Sequence, residues 1–356
     1  MFEVRGYAAK DATSPLVPFN FQRRAVGAHD IHIEILYSGV CHSDLHQAHN
    51  DWGNSVYPMV PGHEIVGRVV AVGAEVKKFK VGDIAGVGCM VDSCRECASC
   101  QRDLEQYCLN HTSFTYNGTE QDKKTATQGG YSTAIVVEER FAVKISKDLD
   151  LKAVAPLLCA GITTYSPLRH WQAQVGPGKK VGVIGLGGLG HMGVKFAKAM
   201  GAHVTMITTS EAKGADAKRL GADAVLVSKD AEAMQKAAAS FDFLLNTIPV
   251  SHDINPYIAL LALDGVMVLV GVLTPVDPVF GGGLMLPRRS VAGSAIGGMA
   301  ETQEMMDFCA KHNIVSDVEV VDMKSINQTY EHLVKNDVRY RFVIDMATMK
   351  DAPAAA

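Results

Sequence analysis

Three observations predict an α/β chain in two parts, one β-rich and one a doubly wound parallel sheet. The first third has a β-branched, alternating texture; after about residue 151 short apolar strands alternate with helical segments; and 356 residues make roughly two domains at about 150 residues each. Through residues 31–143, Ile31, Ile33 and Ile35 alternate with His32 and Glu34, and residues 65–72 form a β-branched run ending at Gly73. That is the pattern of half-buried strands with few helical periods. Residues 180–184 then form an apolar strand, and residues 189–200 a helix with Leu189, Met192, Phe196 and Met200 on one face and Gly201 as its stop. Strands at 204–208, 224–227, 243–247 and 266–272 alternate with helices at 212–220, 231–240 and 254–263. Such repetition makes a parallel sheet, because each right-handed crossover lays its helix back on the strands. A helix at 301–312 and a strand at 341–346 follow, and pattern alone assigns them to neither part.

Composition narrows the function classes. Apolar residues are 47% and charged residues 20%, so the chain folds around a core. Lys and Arg number 34 against 38 Asp and Glu, a net charge of -4 without a long basic block, which leaves no electrostatic footprint for nucleic acid. Residues 1–10 lack the apolar stretch of an export signal, and the richest apolar run, 265–276, is too short to span a bilayer, so no membrane partner is expected. Eight cysteines, four of them within 94–108, favour thiolate metal ligands over disulfides in a chain this long. A reducing, cytoplasmic location follows.

Three constellations carry chemistry. Cys94, Cys97 and Cys100 at three-residue spacing, followed by Cys108, supply four thiolates from one loop, enough to close a tetrahedral zinc site with no open position. Ferredoxin-type spacing differs and places proline after its last cysteine, where this chain has Leu109. The second set is dispersed: residues 41–46 (Cys-His-Ser-Asp-Leu-His), residues 62–64 (Gly-His-Glu) and Cys159. Two thiolates and one imidazole leave a fourth position on zinc for water or a substrate oxygen. The third is Gly185, Gly187, Gly188 and Gly190 in a Gly-x-Gly-Gly-x-Gly turn, which follows an apolar strand and opens a helix at Leu189. In that context backbone N–H groups approach a pyrophosphate at the helix N-terminus.

The end of the second strand separates NAD from NADP, since an acid there binds a ribose 2'-hydroxyl. This chain offers Thr208, Thr209, Ser210 and Lys213, whose hydroxyls and ammonium suit a 2'-phosphate and point to NADP(H). Glu211 supplies the acid if the strand runs one or two residues longer, which would select NAD.

Taken together the motifs resemble the zinc-dependent medium-chain alcohol dehydrogenases, and within them the cinnamyl-alcohol-dehydrogenase-like NADP(H) aldehyde reductases. The resemblance covers nearly the whole chain. It rests on residues 39–46 (Gly-Val-Cys-His-Ser-Asp-Leu-His), 61–67 (Pro-Gly-His-Glu-Ile-Val-Gly), the four-cysteine loop, 158–165 (Leu-Cys-Ala-Gly-Ile-Thr-Thr-Tyr), 185–191 (Gly-Leu-Gly-Gly-Leu-Gly-His) and 339–345 (Arg-Tyr-Arg-Phe-Val-Ile-Asp). It implies a GroES-like β catalytic domain, residues 1–156 and 297–356, around a Rossmann domain, residues 157–296. Cys41, His63 and Cys159 would hold a catalytic zinc, with Glu64 behind it and Asp44 orienting His63, so that the chain carries two zinc ions. Ser43 would touch the substrate oxygen and donate its proton, replenished through a coenzyme ribose hydroxyl and His46. Thr163, Val270, Gly271 and Val272 match nicotinamide contacts, and Arg341 matches an arginine that reaches the pyrophosphate. Trp52, Cys89 and Phe114 fall at pocket positions, where the two aromatics would stack on an aromatic aldehyde.

The resemblance thus implies broad reduction of aromatic and medium-chain aldehydes, and a homodimer formed through residues 284–294. Two other readings stand beside it. One is an NAD-dependent polyol or sugar dehydrogenase of the same superfamily; the other is a non-catalytic zinc and nucleotide protein sensing redox state through its thiolates.

Overall fold

The structure, a computed structural model, describes residues 1–271, 273–335 and 337–351. It divides into two compact units, Met1–Cys159 with the chain from Gly297 onward, and Ala160–Ile296. Among the described residues no helix is long and apolar enough to cross a membrane.

The first unit is built on a sheet in the order Val318–Asp322, Arg341–Asp345, Asp30–Val40, Ile65–Val72, Ile84–Val87 and Val143–Lys144, with Ala134–Glu138 also paired to Asp30–Val40. The alternation read in the sequence sets its faces. Ile31, Ile33 and Ile35 are buried while Glu34 is exposed, and they pack with Ile65, Val69, Tyr131, Ile135, Phe141 and Ile344. Each such side chain contributes roughly 1.5–3 kcal/mol by leaving water. Arg341–Asp345 pairs antiparallel with Asp30–Val40, from Phe342 opposite Val40 to Asp345 opposite Tyr37, which assigns the last strand to this unit. The helix Met299–His312 belongs here too: its first backbone N–H, at Met299, donates to the Glu105 carboxylate at 3.0 Å. A short helix, His42–Ala48, follows the longest strand; the sequence pattern did not indicate it because seven residues are too few to show a period. Its cap explains it, since Asp44 accepts from the Cys41 N–H at 2.9 Å.

The second unit is a parallel sheet in the order Ala224–Val227, His203–Thr208, Lys180–Ile184, Phe241–Asn246, Leu261–Leu269 and Ser290–Gly293. Numbered along the chain this is 3-2-1-4-5-6, the doubly wound arrangement that leaves a crevice beside the first strand. The helix Gly190–Ala199, with Leu189 as its cap residue, buries Met192, Phe196 and Ala197. One element differs from its sequence expectation. In place of a helix over 254–263, only Asn255–Ile258 is helical, and the strand Leu261–Leu269 begins directly after it. Leu260 and Leu261, apolar enough to suit either state, are buried as the chain turns back and Leu261 pairs with Phe241. Asp264 then sits at a φ of 62°, a left-handed backbone that no continuing helix tolerates.

Candidate functional site

Four sulfurs converge in the loop 94–108. Cys97 Sγ lies 3.5 Å from Cys100 Sγ and 4.0 Å from Cys108 Sγ, and Cys94 Sγ lies 3.9 Å from Cys100 Sγ. A tetrahedral zinc with Zn–S bonds of about 2.3 Å spaces its sulfurs about 3.8 Å apart, so the cluster fits that ion. Backbone N–H groups supply the charge balance. Leu109 N–H donates to Cys97 Sγ at 3.4 Å and Cys94 N–H to Cys108 Sγ at 3.5 Å. Hydrogen bonds from the Cys100 and Leu109 backbone draw the Cys97 thiol down to about 6, while burial pushes Cys100 up to about 12. Arg95, at a φ of 65°, ties the loop down through Asp92 at 2.8 Å and Glu138 at 3.4 Å.

The second cluster is buried. Cys41, His63, Glu64 and Cys159 each offer a ligand atom, and these atoms lie within 4.8 Å of one another. Cys41 Sγ is 3.9 Å from Cys159 Sγ, and His63 Nε2 is 3.1 Å from Cys159 Sγ. Cys159 closes the first unit, three residues past the boundary expected from sequence, because its sulfur packs with Cys41 and His63. Asp44, with no exposed surface, accepts from His63 Nδ1 at 2.9 Å, which fixes the ring so that Nε2 faces the sulfurs. Glu64 is ion-paired with Arg341, and its second carboxylate oxygen is buried without a partner, an acceptor that a cation in the cluster would satisfy.

The charges are poised for a metal. The hydrogen bond with Cys159 draws the Cys41 thiol well below the ordinary range against the cost of burial, and the Arg341 and His63 charges add to it. Hydrogen bonds with Cys41 and Cys89, together with burial, push Cys159 well up. Burial opposes charge on His63, yet Asp44 beside it holds its pKa well above the ordinary imidazole value. Burial raises Glu64 to about 7, with Arg341 pulling the other way.

Around this cluster, Ser43 stands in the first turn of His42–Ala48 and His46 in its last turn. His46 is half exposed, and its Nδ1 lies 2.7 Å from Asp51, a partner that no spacing in the sequence marks. Trp52 is 40% exposed, with its ring 5.7 Å from that of His46, and Phe114 is 48% exposed, so both are available surface and not core. Phe114 pairs with Met90, directly after Cys89, whose Sγ lies 3.9 Å from the Leu158 carbonyl preceding Cys159. Arg341, expected at a pyrophosphate, is buried in the first unit and paired with Glu64, and its Nε is without a partner.

In the second unit the glycine turn follows the first strand. Gly185 takes a φ of 92°, and a Cβ on Gly190 would collide with the Gly185 carbonyl, so the turn closes only with glycine at both positions. At Gly187 a Cβ would meet nothing within 4 Å, an open face where a phosphate can approach the backbone. Gly188 completes the turn before the Leu189 cap. Thr208 ends the second strand, Thr209 is exposed, and Ser210 caps a 3-10 turn at Glu211–Lys213 by accepting from Ala212 N–H at 3.3 Å. Lys213 Nζ reaches back to the Leu186 carbonyl at 3.5 Å, which places its charge at the glycine turn. Thr163 is buried in the helix Ala160–His170. Val270 N–H donates to the Asn246 carbonyl, and Gly271 lies so near Thr247 and Ile248 that a Cβ would sit 2.8 Å from a carbonyl oxygen. Val272 lies outside the described residues.

Residues 27–147 match the alcohol dehydrogenase GroES-like domain, and residues 188–311 match the zinc-binding dehydrogenase family. The chain is 54% identical over 355 residues to the aldehyde reductase YahK of Escherichia coli, covering 98% of this chain and 100% of that one. It is similar in structure to a cinnamyl alcohol dehydrogenase of Sorghum bicolor, with a TM-score of 0.94, 46% identity and 100% of each chain covered. The corresponding dehydrogenase of Helicobacter pylori, solved with NADP(H), matches with a TM-score of 0.89 and 42% identity over 97% of this chain and 98% of that one. The chain belongs to the zinc-dependent medium-chain alcohol dehydrogenases, in the group of the cinnamyl alcohol dehydrogenases and aldehyde reductases.

Proposed function

We propose that this chain is a zinc-dependent oxidoreductase that transfers a hydride between NADP(H) and a primary alcohol/aldehyde pair, acting broadly on aromatic and medium-chain aldehydes. The observation that carries the reading is the buried cluster of Cys41, His63 and Cys159, two sulfurs and an imidazole, with the Glu64 carboxylate beside them paired to Arg341. When bound, zinc polarises a carbonyl oxygen as a Lewis acid and NADPH supplies the hydride.

The chain's own residues supply position and proton. Cys41, His63 and Cys159 hold the metal, Asp44 fixes the His63 ring, and Glu64 with Arg341 balances the buried charge. Ser43 gives its hydroxyl proton to the substrate oxygen. His46, three residues on along the same helix and half exposed, relays a proton from solvent back to Ser43, restoring its hydroxyl, while Asp51 holds its Nδ1. Trp52 and Phe114 offer exposed aromatic faces, and Cys89 lies near the ligand Cys159, with its Sγ 3.9 Å from the Leu158 carbonyl. A pocket of this kind discriminates by about 1–3 kcal/mol per methylene, which supports breadth. The glycine turn takes the pyrophosphate, and Thr209, Ser210 and Lys213 take the 2'-phosphate; Thr163, Val270 and Gly271 take the nicotinamide end. Cys94, Cys97, Cys100 and Cys108 hold a second, structural zinc.

The strand Ser290–Gly293 ends its sheet among the described residues, and Phe280, Met285 and Leu286, which precede it in the chain, are 72%, 80% and 89% exposed. That edge supports a homodimer, and the two thiolate-rich metal clusters support a reducing, cytoplasmic location. Initial rates with cinnamaldehyde, benzaldehyde and hexanal, each with NADPH and NADH, test the function. Turnover of all three with NADPH preferred at least tenfold is expected. Polyol oxidation with NAD and no aldehyde reduction would contradict it.

A further inference from the structure

Asp44 does more than hold His63. Its Oδ1 accepts from His63 Nδ1 at 2.9 Å and from the Gly62 N–H at 3.0 Å, and its Oδ2 accepts from the Cys41 N–H at 2.9 Å. One buried carboxylate therefore anchors two of the three ligand residues of the first unit's buried cluster. A fourth donor completes it: the Tyr131 hydroxyl, 3.2 Å from Oδ2. Tyr131 comes from a different stretch of chain and has no exposed surface. Its backbone N–H donates to the Pro61 carbonyl at 3.0 Å, the neighbouring Gly130 N–H donates to the Gly62 carbonyl at 2.8 Å, and its ring lies so close to Gly62 that a Cβ there would sit 2.7 Å from Tyr131 Cδ1. The segment that presents His63 is thus gripped by Tyr131 through main chain, ring and hydroxyl.

We infer that Tyr131 is a positioning residue for the catalytic zinc, its hydroxyl fixing the Asp44 carboxylate in the orientation that presents both Cys41 and His63. Removing it takes one hydrogen bond from Oδ2, so the carboxylate, still held by Cys41, Gly62 and His63, fixes the imidazole less firmly. Burial, with the Asp44 charge, holds the Tyr131 phenol well above its ordinary value, which keeps the proton on the oxygen and the hydroxyl a donor. Tyr330 provides a comparison. It is buried in the same neighbourhood with its hydroxyl near that of Tyr131, but it gives no hydrogen bond to Asp44.

The inference rests on the reading of Cys41, His63 and Cys159 as zinc ligands, and the test separates the two. Zinc release to a chelating dye is followed for the wild type, Tyr131→Phe and Tyr330→Phe, with Tm recorded for each. Two zinc ions per wild-type chain are expected. Tyr131→Phe should release one of them roughly 10- to 100-fold faster, the loss typical when a partner behind a metal ligand is removed, while the other leaves at the wild-type rate. Tyr330→Phe should match the wild type at both sites. The cobalt-substituted Tyr131→Phe protein should also show a shifted visible spectrum. A lowered Tm with both release rates and the cobalt spectrum unchanged would assign the hydroxyl to packing and overturn the inference. A wild type holding one zinc would overturn the ligand reading itself.

Discussion

Lys213→Ala isolates the coenzyme choice. In the second unit Lys213 projects from the 3-10 turn Glu211–Lys213 after the second strand, exposed, with Nζ 3.5 Å from the Leu186 carbonyl of the glycine turn. That contact is at the limit of a hydrogen bond and solvent-exposed, so its loss costs at most about 1 kcal/mol and affects both coenzymes alike. A 2'-phosphate held there would accept a charge-assisted bond worth roughly 1.5–3 kcal/mol, or roughly 10- to 150-fold in affinity. Fluorescence titration of NADPH and NADH against the folded protein reads the two affinities without turnover. The substitution should weaken NADPH by that factor and leave NADH within about fivefold. Because the site is exposed, the NADPH affinity of the wild type should also fall with added salt, and that dependence should shrink in the variant. Equal weakening of the two coenzymes would refute the placement of the 2'-phosphate beside Lys213.

Other sites give independent expectations. His46→Ala should lower the kcat of aldehyde reduction roughly 100-fold, at the lower end for a positioned proton donor, and Asp51→Asn should act in the same direction; rates at wild-type level in both would remove them from the proton path. Gly190→Ala places a methyl against the Gly185 carbonyl, so it should cost about 1–3 kcal/mol of stability and abolish coenzyme binding, measured by Tm and titration. Cys97→Ala opens the four-sulfur cluster; it should remove one zinc and lower Tm while residual folded protein keeps its KM for aldehyde, and an unchanged zinc count would contradict the assignment.

Much of this was legible in the sequence because the signals are local. The period-2 run at Ile31, Ile33 and Ile35 fixed a buried sheet face, and the glycine turn after an apolar strand marked the coenzyme loop. The four-cysteine loop was legible in its spacing, whereas Cys41, His63 and Cys159, far apart in the chain, were linked only by the family resemblance. What escaped was set by tertiary contact. Nothing about Asp51 announces that it holds His46, and no motif marks Tyr131, which the fold brings to Asp44, 87 residues away. The Glu64 partner of Arg341 escaped for the same reason: burial of Glu64 calls for a cation, and only the fold brings Arg341 to it. The helix expected at 254–263 failed because Leu260 and Leu261 suit either state, and pairing with Phe241 decided it.

The central claim is that one buried site in this chain holds a zinc that reacts and one loop holds a zinc that does not. Metal analysis of the wild type and Cys159→Ala, with aldehyde turnover on the same samples, addresses it most directly. The account predicts two zinc ions and activity in the wild type, and one zinc, a cooperative unfolding transition and no turnover in the variant. Two zinc ions and undiminished turnover in Cys159→Ala would contradict it.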